Sequence, residues 1–410
     1  MHNITRELLF KKGISEYKLV LNIIKKLEVS FVYNELLCIE TDIVHNLLFL
    51  KIGNTYYKLI IPDYTQEVLE AIIDKLPEHF GLFETDHKKI LAESNDTNAG
   101  SLPMHSIIDT SDILQLVKNI AEKKQIQSLH LLYANHSSNR IGPKYQTHQN
   151  HHEIQYKMGY TNSNGVFSFK EGQAYDLNKL TQNLFQEDDL NAKATMAADT
   201  KEDTLLTGIV YFPTEIMIPV YNALMMALSG ELISGEFSMI KREQFNSPVI
   251  APCITITDNP KIENAPIFDA EGSKVIPKTL INKGILVQAL NNLKSATALG
   301  QTPGNCYINY STFSYEIKHT LVDIDVADAA SASYDILIEH YDTGLLQFDI
   351  QTGALTCNLI GYDAVNNQRK KYILNTSVMQ LLSRVIGGVG NPISSHNIFT
   401  RDILLDFGRD

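Results

Sequence analysis

Apolar and polar positions change period several times along the chain, and each change predicts an element. In "EYKLVLNIIKKLE" (16–28) apolar residues recur at helical spacing with lysines on the other face, which predicts an amphipathic helix. "HNLLFLKIGNTYYKLII" (45–61) carries β-formers on both sides of Ile52-Gly53-Asn54 and predicts a hairpin. "TQEVLEAIIDKL" (65–76) returns to helical spacing, with Thr65 as N-cap and Glu67 close behind. A polar, turn-rich stretch, "ESNDTNAGSLP" (93–103), reads as a linker or exposed loop. A helix over "SDILQLVKNIAEKK" (111–124), a strand over "SLHLLYA" (128–134) and a hairpin over "YTNSNGVFSF" (160–169) follow.

The pattern then breaks. "QEDDLNAKATMAADTKED" (186–203) is acidic and nearly free of large apolar residues, which sets the expected boundary between an N-terminal domain, 1–200, and a C-terminal domain, 205–410. Beyond it, "TGIVYF" (207–212) reads as a buried strand and "PVYNALMMALSGELI" (219–233) as a helix apolar almost all round. Short alternating runs with tight turns dominate the rest, notably 266–286 and 334–363, where Asp-Thr-Gly and Gln-Thr-Gly separate period-two segments as in an antiparallel meander. "NTSVMQLLSRVIG" (375–387) reads as a helix capped by the glycines of "GGVGNP" (387–392). The expected fold class is α+β: a mixed α/β N-terminal domain, then a β-rich antiparallel domain around a buried helix.

Composition narrows the function. The 410 residues carry a formal charge of −12 with no Lys/Arg run to offset it, which argues against binding a phosphate backbone. The start lacks the apolar core of a signal peptide, and no apolar stretch reaches the roughly 18 residues of a membrane span. Cys38, Cys253, Cys306 and Cys357 form no CxxC pair. A reduced, cytoplasmic protein without membrane or nucleic-acid partners is expected.

Three places carry candidate chemistry. His152-Glu153 in "HQNHHEIQYKMGY" (148–160) begins like a zinc-peptidase HExxH, but Tyr156 and Lys157 stand where the second imidazole would fall. His148 and His152 would share a helical face with Glu153 adjacent. In a strand, His148, His152 and Ile154 share one face and Glu153 points to the other. A polar, partly exposed loop is the plainer reading. Asp269 and Glu271, in Phe268-Asp269-Ala270-Glu271-Gly272, form either an acid/base or amine-gripping pair or a turn in which Asp269 bonds its own backbone and Gly272 supplies positive φ. Gly304-Asn305 closes a Pro-Gly-Asn turn whose amides could form a carboxylate nest. There is no GxxxxGK[ST] and no GxSxG, and "GGVGNP" lacks a βαβ context.

The second half resembles the TldD/PmbA family, whose members pair a TldD subunit with a TldE (PmbA) subunit. The resemblance is carried in order by "SPVIAPCITITDNP" (247–260), "PIFDAEGSKVIPKTLINKGILVQALNNLKSATALGQTPGN" (266–305) and "TGALTCNLIGYDAVNNQRKKYIL" (352–374). The first hundred residues do not share the family's pattern. The resemblance implies that a TldD-type subunit holds zinc through HExxxH on the buried helix after the first C-terminal strand. Here that place reads Thr214-Glu215-Ile216-Met217-Ile218-Pro219, with neither imidazole, and no late Cys-Gly-Lys stretch supplies the family's Cys ligand. Pro219 should start or kink the helix, leaving Glu215 as a first-turn acid.

What the resemblance implies is a TldE/PmbA-like subunit with no catalytic residue and no cofactor of its own, zinc being supplied by the partner. Its expected partners are a TldD-like metallopeptidase subunit, or a second copy of itself, and an extended peptide substrate. Glu215, Asp269, Glu271, Gly272, Gly304 and Asn305 are the expected cavity-lining residues. The alternatives are a homodimeric peptide-binding or regulatory protein of the same fold, and a stand-alone enzyme built on His148, His152 and Glu153 or on Asp269 and Glu271.

Overall fold

The structure, a computed structural model, describes residues 2–32, 35–53, 55–61, 66–76, 108–123, 126–142, 146–161, 167–174, 176–185, 203–260, 266–309, 315–341, 346–395 and 397–408. The expected linker at 93–103, nearly all of the acidic boundary stretch, the Thr65 cap and the turns at 162–166 and 342–344 lie outside these residues. In chain order the first elements are α1 (His2–Lys11), β1 (Tyr17–Val32), β2 (Glu35–Ile52), β3 (Thr55–Ile61), α2 (Gln66–Lys75) and α3 (Thr110–Lys123). Then come β4 (Ile126–Ile141), β5 (Gln146–Thr161), β6 (Phe167–Ala174), α4 (Leu177–Phe185), β7 (Asp203–Leu205) and β8 (Ile209–Phe212). α5 (Thr214–Ala227), α6 (Gly230–Ser234), β9 (Ile254–Asp258), β10 (Lys278–Asn282), β11 (Ile285–Leu286), α7 (Leu293–Leu299), β12 (Cys306–Ile308) and β13 (Tyr315–Ile317) follow. The last are β14 (Val322–Val326), β15 (Ile336–Tyr341), β16 (Gln347–Phe348), β17 (Ala354–Asp363), β18 (Gln368–Ser377), α8 (Val378–Ser383), β19 (Val385–Ser395) and β20 (Ile398–Asp406). The architecture is α+β with mostly antiparallel sheets, as the sequence patterns predict.

Two compact units divide the chain. The first comprises residues 1–186, 263–275 and 306–316, and the second 187–262, 276–305 and 317–410.

The first unit is built on one antiparallel sheet in the order β3-β2-β1-β4-β5-β6. One face is apolar and takes the helices. Leu27, Val29, Leu131, Tyr133, Ile154 and Tyr156 pack under α3 and α4, while Leu19, Leu48, Leu50 and Tyr57 pack under α1 and α2. The other face is largely polar, with Lys18, Asn22, Lys26, His136, Ser138, Arg140 and Gln149 buried on it. It is covered by 266–275 and 306–309, whose Ala270 and Ile308 join Ile24 and Ala134 in a small apolar cluster.

That second buried face overturns two expectations. Residues 16–28 are not a helix: from Tyr17 they run in β1, paired in register with β2 on one side and β4 on the other. The lysines that look like a solvent-facing helical stripe include Lys18 and Lys26, both buried on the polar face, and with two covered faces the strand loses its period-two signature. The stretch 148–160 is not a loop but most of β5, paired throughout with β4. The strand alternative for its histidines holds, with Glu153 turned away from His148, His152 and Ile154.

The second unit is built on a 12-stranded sheet whose path runs β11-β10-β9-β14-β20-β8-β15-β17-β18-β7, with β16 added to β17 and β19 to β20. Its core is α5 packed among strands: Ile216, Met217, Ile218, Val220, Tyr221, Ala223, Leu224, Met225 and Ala227 are all buried, as the nearly all-apolar pattern predicts. The helix after β18 is shorter than expected. α8 opens with a reciprocal cap between Ser377 and Gln380 and ends at Arg384, and the glycines beyond belong to β19, not to a cap. Gly387 is needed there because a Cβ would come within 2.4 Å of Ala329 Cα, where the neighbouring Gly388 exchanges backbone bonds with Ala327 and Ala329. Among the described residues no helix is long and apolar enough to cross a membrane.

Candidate functional site

The first candidate place is the start of α5, where the sequence is expected to lack metal ligands. The helix begins at Thr214 after Pro213, five residues before Pro219, so Pro219 lies inside it and does not start it. A proline there removes the donor to the Glu215 carbonyl and crowds that turn. The Tyr341 hydroxyl donates to the next carbonyl, Ile216 O, at 2.7 Å, which ties this turn of the helix to β15. Glu215 is exposed in the first turn, as expected of an acid favoured by the helix dipole.

Thr214 is fully buried and engaged. Its backbone N–H and hydroxyl donate to Asp402 Oδ1 at 2.7 and 2.8 Å, and the Tyr211 hydroxyl donates to Asp402 Oδ2. A carboxylate from β20 therefore caps the helix in place of the side chain that Pro213 lacks. Burial, then the Asp402 contact, raise the Tyr211 hydroxyl's pKa, so it stays a donor. Asp402→Ala should lower the stability of the chain by about 2 kcal/mol, the worth of a cap plus a stranded hydroxyl, read as an earlier urea midpoint. An unchanged midpoint would show that Asp402 does not hold the helix. Asp402, Tyr211 and Tyr341 carry no motif and were not singled out from sequence.

A second constellation lies in the first unit. The Phe268–Gly272 segment is a turn, as its Asx chemistry predicts: Asp269 Oδ1 accepts from the backbone N–H of Glu271 and Ser273 at 3.0 and 2.9 Å. Gly272 takes φ +72°, and a Cβ there would lie 2.8 Å from Val20 Cγ2. The two acids are not solvated; both are 1% exposed. Asp269 Oδ2 accepts from Cys306 N–H at 3.0 Å, and Glu271 pairs with Lys58 of β3. Three side chains of the polar face grip the turn's backbone: Asn22 donates to Ala270 O at 3.3 Å, Arg140 to Gly272 O at 3.1 Å and Gln149 to Phe268 O at 2.6 Å. Burial, and next the Glu271 carboxylate, raise the Asp269 pKa to about 7. Burial opposes the Lys58 charge, but Glu271 outweighs it and the ammonium's pKa lies above its usual value.

The other candidates fall in the second unit. Gly304 has φ +116°, and Asn305 is fully buried. Its Nδ2 donates to Asp258 Oδ2 at 2.7 Å and to Lys318 O at 3.3 Å, while its Oδ1 accepts from Lys278 Nζ and from Asn291 N–H. Asp258 also accepts from the Thr320 N–H and hydroxyl at 2.8 and 2.7 Å. Asn305 thus knits four segments together. Asp258 is the acid of the "ITITDNP" turn.

The histidine stretch shows no convergent site. His148 Nδ1 bonds Asn139 Oδ1 at 2.9 Å, His152 lies against the Tyr133 ring, and Glu153 accepts from Gln155. Among the described residues no group of three or more His, Cys, Asp or Glu side chains is arranged to hold a metal ion.

Residues 209–381 match the PmbA/TldA metallopeptidase C-terminal domain. No curated protein matches the chain in sequence. Three solved structures share the fold. A protein described as a candidate modulator of DNA gyrase from Bacteroides thetaiotaomicron is 13% identical with TM-score 0.69, covering 98% of this chain and 96% of its own. Another so described, from Thermotoga maritima, is 13% identical with TM-score 0.68, covering 99% and 98%. TldE from Thermococcus kodakarensis is 14% identical with TM-score 0.63, covering 99% and 98%. Residues 209–381 thus resemble the C-terminal domain of PmbA/TldA metallopeptidases, in a chain that shares its fold with these three proteins nearly end to end.

Proposed function

We propose that the chain is a TldE/PmbA-like subunit that does not bind zinc and that pairs with a TldD-like HExxxH metallopeptidase subunit to bind and process unfolded peptides or peptide precursors. The observation that carries the reading is the start of α5. Thr214 spends its amide and hydroxyl on Asp402, and Pro219 has a side chain without a lone pair. A zinc ion needs nitrogen, thiolate or carboxylate donors converging on one point, and these residues do not fit it. Glu215 stands in the first turn with Thr214 before it and Pro219 one turn on, so no imidazole flanks it. The fold shared with TldE of Thermococcus kodakarensis supports the same reading.

In this account the chain's part is to shape the peptide's route while its partner performs hydrolysis. The β-rich second unit can give an extended peptide main-chain bonds that select little for sequence.

The test uses the purified chain, a partner carrying an intact HExxxH, and an unstructured peptide such as casein fragments. The chain alone should retain sub-stoichiometric zinc after dialysis and cleave nothing, and cleavage should appear on mixing. Stoichiometric zinc on the chain alone, or cleavage by it, would overturn the reading. Self-association with no response to the partner would favour a homodimeric binding protein.

A further inference from the structure

The sheet of the first unit has one edge that is longer than its neighbour covers. β2 pairs with β1 from Glu35 to Leu50 without a register shift, but β3 pairs with β2 only over Asn46–Ile52. The outer edge of Glu35–His45 has no strand partner among the described residues. Eleven residues of strand span about 36 Å of backbone donors and acceptors. Soluble proteins blunt such an edge with lysines, prolines, bulges or a short length. "ELLCIETDIVH" uses none of these: it has no Lys, Arg or Pro, and its register is continuous.

Its side chains are also those of an interface. Leu36, Leu37, Ile39 and Val44 are exposed, Leu37 by 59%. Alternation puts Leu37, Ile39 and Ile43 on one face and Leu36, Glu40, Asp42 and Val44 on the other. Glu35, Glu40 and Asp42 make the segment purely acidic, and Asp42 alone has a cation, Lys25, opposite it in β1.

Charge selects the occupant. A second copy lying antiparallel along the whole edge would put its two-fold at residue 40, with Glu40 directly across from Glu40, an arrangement that destabilises strand pairing. We infer that the outer edge of β2, Glu35–His45, docks an extended segment of another polypeptide that is apolar at alternate positions and carries lysine or arginine against Glu40 and Asp42. Main-chain bonds supply the affinity, the leucine and isoleucine face excludes water, and the acids set the preference for basic strands. The inference makes no use of α5 and stands apart from the peptidase-subunit reading.

The test uses the full chain and two end-blocked ten-residue peptides, one alternating Val and Lys, the other Val and Glu. The Val–Lys peptide should slow hydrogen exchange at the outward-facing amides of 35–45, those that do not point to β1, and bind about tenfold tighter than the Val–Glu peptide, the sum of a few cross-strand charge pairs. Glu40→Lys should erase that preference, and Leu37→Lys should weaken both peptides while leaving the melting temperature unchanged. Equal affinity for the two peptides, binding of neither, or slow exchange at those outward-facing amides in the dilute chain alone would overturn the inference. So would self-association at this edge, which would make a second copy the occupant.

Discussion

Asp269→Ala should lower the stability of the chain by about 3–5 kcal/mol, seen as a large fall in the urea midpoint at pH 5. The side chain is 1% exposed and accepts from three backbone amides: Glu271, Ser273 and Cys306. Alanine leaves all three donors buried without that acceptor, and the turn held by Asn22, Arg140 and Gln149 loses its internal brace. The loss depends on pH. Burial and Glu271 raise the folded-state pKa of Asp269 to about 7, against an ordinary value of 3.8. Between those values the folded chain holds a proton the unfolded chain has released, so the contribution is complete below about pH 4 and fades as pH rises through about 7. Wild-type stability should therefore decline from pH 5 to pH 8, and the gap to Asp269→Ala should narrow. Asp269→Asn keeps one acceptor and removes the titration, so it should lose less at pH 5 and show a flatter pH profile. A profile for Asp269→Asn as steep as the wild type's would assign the proton elsewhere.

The helices legible from their period are those with one apolar face. α2 and α3 bury a single side, so the 3.6 period survives in the pattern, while the β2–β3 hairpin shows through its β-formers on both sides of Gly53. α5 was legible for the opposite reason, being apolar all round. β1 was not, because it is buried on both faces and one of them is polar. Lys18 there lies over the Phe49 ring, and Asn22 accepts from Ser138 and bonds the His136 ring. A lysine in such a place is indistinguishable in sequence from one in water. The same holds for the candidate residues. The backbone chemistry of Asp269 and Gly272 was readable, since Asx bonding and positive φ are local properties. Their burial was not, since the groups that cover and grip them, Lys58, Asn22, Arg140 and Gln149, come from strands more than 100 residues away. The gap at Thr214 and Pro219 could be seen only because a family resemblance says which place to inspect. Its replacement by an Asp402 cap has no signal in the sequence at all.

Asn305→Ala should cost about 3 kcal/mol, and Asn305→Leu no less. The amide stands between a buried cation and a buried anion, with Lys278 and Asp258 both 1% exposed or less. Burial raises the Asp258 pKa, and bonds from Thr320, Asn305 and the Lys278 charge pull it back. Truncating the amide removes one of those bonds and takes from Lys278 the oxygen it donates to. It also releases Asn291 N–H and Lys318 O, so the loop before β12 loses its ties to β9 and β10 together. Leucine separates the two explanations of such a loss. It restores the volume of asparagine but none of its bonds, so a packing role predicts recovery and a bridging role predicts none. Urea denaturation of the two variants side by side decides the matter, and recovery of most of the wild-type midpoint in Asn305→Leu would reduce Asn305 to a space-filling residue.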